Sequence, residues 1–127
     1  MYEVTVKTGF SAAHQLRYHD GKYENLHGHN WTAIVTVETK ELDKIGLGVD
    51  FVILKKTVVD ILSRLDYKNI NEVPPFDSKN PSAENISRWL FEELSTLINS
   101  DNARLKRVEI KEFDDCGAAY FEQENFQ

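Results

Sequence analysis

From His27 to Thr39 the chain alternates without a break. Trp31, Ala33, Val35 and Val37 fall on one side, and Thr32, Ile34, Thr36 and Glu38 on the other. A period of two belongs to a half-buried strand, so this run commits the chain to a sheet with one packed face. It opens on His27-Gly28-His29, and both histidines share parity with Trp31. Two imidazoles therefore stand side by side where the apolar face begins. Gly28 adds no bulk to the opposite face.

A second alternating run comes before it. Tyr2, Val4, Val6 and Thr8 alternate with Glu3, Thr5 and Lys7, and Phe10 to His14 continues the strand. The polar stretch Arg17 to Tyr23, with Gly21, reads as a loop. The two runs are then limbs of a hairpin, and His14 can supply a third nitrogen to His27 and His29. Three neutral imidazoles with a fourth position open are the ligand set of a catalytic zinc site. A His-x-His pair can also be a surface accident; His14 within reach, and Glu24 three residues before His27, favour the metal.

Glu41 to Gly48 is a turn-rich connection. Asp50 can cap a helix opening at Phe51, whose stripe is Phe51, Leu54, Val58, Ile61, Leu62 and Leu65. Asp66 to Lys79, with Pro74 and Pro75, reads as a loop. Pro81-Ser82 opens a second helix with Ser82 as N-cap and Ile86, Trp89, Leu90, Leu94 and Leu97 on its buried face. After a turn at Asn99 to Asn102, a strand runs from Leu105 to Phe113. Asp114 to Gly117 turns, Ala118 to Glu122 is a last short strand, and Gln123 to Gln127 is a polar tail. The order ββααββ predicts an α+β fold: an antiparallel sheet with two helices on one face.

A chain of 127 residues forms one domain, here residues 1–127. Its net charge of −6 argues against a general nucleic-acid binder, which needs a basic face, but leaves room for a small phosphorylated substrate held by a few local cations. One cysteine, Cys116, permits no internal disulfide, and no apolar run approaches a membrane span. A cytoplasmic enzyme or binding protein is the expected class.

Phe10-Ser11-Ala12-Ala13-His14, followed by Glu24-Asn25-Leu26-His27-Gly28-His29-Asn30, resembles the zinc signature of the 6-pyruvoyltetrahydropterin synthase family. That family includes the 6-carboxytetrahydropterin synthases of queuosine biosynthesis. Val49-Asp50-Phe51, Arg64-Leu65-Asp66, Pro81 to Asn85 and Ile110-Lys111-Glu112 resemble further family blocks in the same order. The resemblance implies the tunnelling fold, or T-fold, in which three sheets close into a β-barrel and two barrels stack. The expected assembly is a homohexamer with active sites between subunits. The implied substrate is 7,8-dihydroneopterin triphosphate, with Zn2+ on His14, His27 and His29 holding its side-chain hydroxyls.

The chain departs from the family at two places. The usual synthases carry a cysteine base four residues before the first histidine of His-Gly-His, where this chain has Tyr23. Cys116 is expected to pack as a small apolar residue. Glu24 instead matches a subgroup with Glu-x-x-His-Gly-His, associated with cleaving the same substrate to 6-hydroxymethyl-7,8-dihydropterin, a folate precursor. Glu24 is then the base, or else a solvated loop carboxylate or one hydrogen-bonded to a zinc-ligand histidine. The family's Leu-Asp-His reads Leu65-Asp66-Tyr67 here, so Asp66 keeps its catalytic position while the histidine is lost; His19 is a candidate substitute. Glu112 matches the glutamate that pairs with the pterin edge, and Ser82 and Ala83 match positions near the pterin. Lys22, Lys68 and Arg88 are the candidate cations for the triphosphate.

The expected function is a zinc-dependent lyase on 7,8-dihydroneopterin triphosphate. The alternatives are a 6-pyruvoyl- or 6-carboxytetrahydropterin synthase without the usual cysteine, and a zinc-containing pterin-binding protein without turnover.

Overall fold

The computed structural model describes residues 1–18 and 20–123. Strands β1 (Tyr2–His14) and β2 (His27–Thr39) are followed by helices α1 (Phe51–Leu62) and α2 (Ala83–Ile98), then by strands β3 (Ala103–Phe113) and β4 (Cys116–Phe121). The sheet is antiparallel in the order β1-β2-β3-β4, which is the expected ββααββ architecture.

Both alternating runs pair along their full length, from Tyr2 opposite Thr39 to His14 opposite His27. Even positions of β1 and odd positions of β2 thus share one face, and Val6, Phe10, Ala12, Trp31, Ala33, Val35 and Val37 are buried there. Phe10 lies opposite Trp31 and stacks on it, with ring centroids 5.7 Å apart. The Trp31 indole donates to the Ala12 carbonyl at 3.1 Å, so its polar edge is satisfied although the residue is buried.

The helices cover this face. Asp50 caps α1, accepting from the Val52 amide at 2.8 Å, and Ser82 caps α2, accepting from the Asn85 amide at 3.1 Å. From the expected stripe of α1, Leu54, Val58, Ile61, Leu62 and Leu65 are buried, but Phe51 is 61% exposed. Helical side chains lean toward the N-terminus, so a residue in the first turn covers the space before the helix rather than the core. On α2, Ile86, Leu90 and Leu94 are buried, Trp89 is half-buried, and Leu97 is 61% exposed. Phe91 and Ser87 are buried instead, which turns the packed stripe toward that side of the helix. Truncating Leu90 or Leu94 to alanine should cost about 2–5 kcal/mol.

Two stretches differ from expectation in detail. The loop Asp66 to Lys79 contains a short 3-10 helix, Ile70–Glu72, capped by Asn69. The last turn is only Asp114-Asp115, so Cys116 and Gly117 belong to β4, and Cys116 is exposed rather than packed. A Cβ on Gly117 would lie 2.9 Å from the Ile110 carbonyl oxygen. That close approach lets β4 pair tightly with β3. His19 and residues 124–127 lie outside the described residues.

Candidate active site

The register brings the three histidines together. His14 and His27 are direct cross-strand partners, while His29 faces Ala12 one step along the same side. The rings stand edge to face with centroids 4.7–5.1 Å apart, and the ligand nitrogens all lie within 4.8 Å of one another. Trp31 closes the inner side, 4.7 Å from His14 and 5.1 Å from His29. His14 and His29 side chains are 2% and 7% exposed, against 35% for His27, so the cluster opens on one side.

Hydrogen bonds select the tautomers. His14 Nδ1 donates to the Pro81 carbonyl at 2.7 Å, and His27 Nδ1 to the Asn25 carbonyl at 2.8 Å. A carbonyl only accepts, so both Nδ1 atoms carry the proton and both Nε2 atoms present lone pairs. Those two Nε2 atoms are 3.2 Å apart. His29 Nε2 is buried with no hydrogen-bond partner. Lone pairs facing each other and an orphaned buried nitrogen are unfavourable alone, and a shared cation relieves both. The donor set fits a zinc ion. Burial holds the His29 pKa below its ordinary value of 6.5; Glu112 opposes this shift, while His14 and His27 add to it.

The Pro81 carbonyl is held by a clasp that the sequence reading missed. Asn71 and Asn80 each bond both the amide and the carbonyl of a residue just past β1, Gln15 and Arg17 respectively. The Arg17 guanidinium donates to the carbonyls of Asn71 and Phe76. Side-chain amides thus imitate a strand partner, fixing the 71–80 loop against β1. Nothing in the sequence marks which carbonyls these asparagines reach.

The acidic residues separate into three positions. Glu24 Oε1 accepts from the Leu16 amide at 3.2 Å and lies 3.8 Å from His27 Nδ1. Glu112 continues the inward parity of Val108 and Ile110, and its carboxylate reaches 4.0 Å from His14 Nε2 and 3.8 Å from His29 Nε2. Asp66 stands apart. Its Oδ1 accepts from the Ser11 amide at 2.9 Å on the outer edge of β1, and no contact among the described residues joins it to His14, His27 or His29.

Two cavities flank the cluster. One of about 200 Å³ is lined by Ala83, Glu84, Glu112, Cys116, Gly117 and Ala118, so Glu112 and Ala83 share a lining. Ser82 is not on that lining, and its oxygen serves the helix cap. The other, about 490 Å³, lies on the outer side and includes His29, Asn30, Tyr67 and Lys68. Tyr67 has φ of 59°, the left-handed region uncommon for a residue with a side chain. Of the candidate cations, Lys68 lines this cavity, whereas Arg88 is engaged by Glu92 at 2.8 Å and by the Tyr120 ring.

The family model described as 6-pyruvoyl tetrahydropterin synthase matches residues 3–123. The chain is 33% identical over 114 residues to a dihydroneopterin monophosphate aldolase of Pyrococcus furiosus, covering 90% of this chain and 92% of that protein. It is 31% identical over 126 residues to a 6-carboxy-5,6,7,8-tetrahydropterin synthase of Synechocystis, covering 95% and 94%. The solved structure of Caenorhabditis elegans 6-pyruvoyl tetrahydropterin synthase superposes with a TM-score of 0.80 at 26% identity, covering 97% and 98%. The fold is the T-fold of that structure. No helix among the described residues is long and apolar enough to cross a membrane.

Proposed function

Since the chain belongs to the 6-pyruvoyl tetrahydropterin synthase family of pterin-processing enzymes, we propose that it is a zinc-dependent lyase. It would cleave the side chain of a phosphorylated 7,8-dihydroneopterin to give 6-hydroxymethyl-7,8-dihydropterin. The substrate is the triphosphate or, in line with the name of the Pyrococcus relative, the monophosphate. The observation that carries the reading is the convergence of three imidazole nitrogens, two with lone pairs held face to face at 3.2 Å. Glu24, rather than a cysteine, stands beside them.

His14, His27 and His29 would hold the ion, which when bound supplies a Lewis acid that lowers the pKa of the substrate's side-chain hydroxyls. Glu24 takes the C2′ hydroxyl proton. Its Oε1 is engaged by Leu16, and its second oxygen has no partner among the described residues. The C1′–C2′ bond then breaks in a retro-aldol sense. Its electrons pass to C1′ and delocalise into the adjacent ring imine, the departing fragment leaves as a phosphorylated aldehyde, and a proton returns to C1′. Glu112 accepts two parallel N–H bonds from the pterin edge. Ser82 keeps its hydroxyl proton free to donate, and Ala83 contributes backbone. Asp66, at the outer edge of β1, would serve the site of a neighbouring copy in a cytoplasmic homohexamer.

The Synechocystis relative supports a second reading, a 6-carboxy- or 6-pyruvoyltetrahydropterin synthase in which Glu24 has taken over from the cysteine. Incubating the zinc-loaded protein with 7,8-dihydroneopterin triphosphate and monophosphate, and weighing the products, separates the readings. 6-Hydroxymethyl-7,8-dihydropterin supports the lyase. A carboxy or pyruvoyl product supports the second reading. Intact substrate with pterin bound leaves a pterin-binding protein without turnover.

A further inference from the structure

Glu112 and Phe113 are consecutive on β3, and both side chains reach His29. The Glu112 Oε2 lies 3.8 Å from His29 Nε2, and the Phe113 ring stands edge to face with the imidazole, centroids 4.9 Å apart. Neighbours on a regular strand point to opposite faces. The register explains the exception. Lys111 lies opposite Gly117 and Phe113 opposite Cys116, so two steps on β3 match one on β4, and Glu112 is the extra residue. A bulge of this kind re-aims side chains beside a site. His29 thereby stands between two aromatic rings, Trp31 at 5.1 Å and Phe113 at 4.9 Å. They differ in one respect: Trp31 is 1% exposed and Phe113 is 56% exposed. Phe113 touches His29 and still leaves more than half of its surface open.

We infer that Phe113 is a specificity-determining residue, which packs its open ring against the flat face of the pterin that Glu112 anchors. The two residues supply different contacts. A carboxylate accepts N–H bonds in the plane of a heteroaromatic ligand, whereas an aromatic ring takes the face by offset stacking. A ligand that uses both is flat and carries N–H donors along one edge, as a pterin does. A sugar or an aliphatic phosphate offers no such face. Stacking of this kind is the same before and during bond cleavage, so it governs KM more than kcat. This inference rests on the proposed pterin substrate and adds a residue to its recognition.

The test titrates zinc-loaded wild type, Phe113→Ala, Phe113→Leu and Phe113→Tyr with 6-methylpterin, a pterin without the side-chain hydroxyls. Zinc affinity is measured on the same preparations. Phe113→Ala should bind the pterin about 5- to 150-fold more weakly. Phe113→Leu keeps the apolar bulk against His29 but has no flat face, and should lose about 2- to 10-fold. Phe113→Tyr should bind as the wild type does, and Phe113→Leu should keep wild-type zinc affinity. With phosphorylated substrate, KM should rise in Phe113→Leu while kcat holds. If the wild type binds 6-methylpterin and the leucine and alanine variants bind it equally well, the inference fails and the pterin reading stands. If Phe113→Leu loses zinc in step with pterin, Phe113 only props His29, and the inference fails again. If the wild type binds no 6-methylpterin, the pterin reading itself fails and the inference with it.

Discussion

His14 and His27 face each other across the first hairpin with Nε2 atoms 3.2 Å apart, each ring anchored by its Nδ1 proton on a backbone carbonyl. Neither nitrogen can donate to the other, so the pair stores an unfavourable contact that a cation turns into binding energy. Zinc should therefore raise the unfolding temperature. At a free concentration 100 times the dissociation constant the gain is about 2.7 kcal/mol. The shift should vanish in His27→Ala, and Trp31, 4.7 Å from His14, offers a fluorescence signal for the same titration.

The metal-free protein should lose stability as it is acidified. Burial lowers the His29 pKa below 6.5 in the folded state, so between the folded and unfolded values the unfolded chain binds more protons. The contribution of neutral His29 is complete above 6.5 and is lost as pH falls from there through the lower folded value. Thermal unfolding of chelator-treated protein checks this. His29→Gln should flatten the slope, and greater stability in mild acid than at neutrality would contradict it.

The strands and caps were legible in the sequence because alternation and capping are local. Trp31, Ala33, Val35 and Val37 are buried as their spacing required, and Asp50 and Ser82 cap where expected. The three histidines were legible because His-x-His must share a face and a hairpin brings its limbs together. The misses are positions whose environment is set by distant chain. Phe51 overhangs the helix start, Phe91 replaces Leu97 on the packed stripe, and the bulge at Glu112 depends on how β4 pairs. The place of Asp66, on the outer edge of β1 and away from the histidines, follows from pairing of the Tyr67–Asn69 segment with β1. No sequence period encodes that pairing.

Glu24 has two roles to separate. If its carboxylate is the base, Glu24→Gln keeps zinc and pterin binding and loses turnover by about 10²- to 10⁴-fold. If it only orients His27, from whose Nδ1 it lies 3.8 Å, the same variant instead weakens zinc by about 10- to 100-fold. Metal affinity and rate measured on one preparation tell these apart, and the account predicts the first pattern.

Asn80 tests the clasp. Its side chain bonds the amide and the carbonyl of Arg17, one residue before the Pro81 carbonyl that holds His14. Asn80→Ala leaves two backbone groups to find water and should cost roughly 1–3 kcal/mol. Zinc affinity should fall with it. Equal affinity after correction for stability would mean that the clasp does not position His14.

The most direct measurement follows the product of wild-type protein stripped of metal, the same protein reloaded with zinc, and His27→Ala, each given 7,8-dihydroneopterin triphosphate or monophosphate. The account predicts 6-hydroxymethyl-7,8-dihydropterin only from the reloaded wild type, in proportion to the zinc bound. The same yield from the stripped protein, or from His27→Ala, would contradict it.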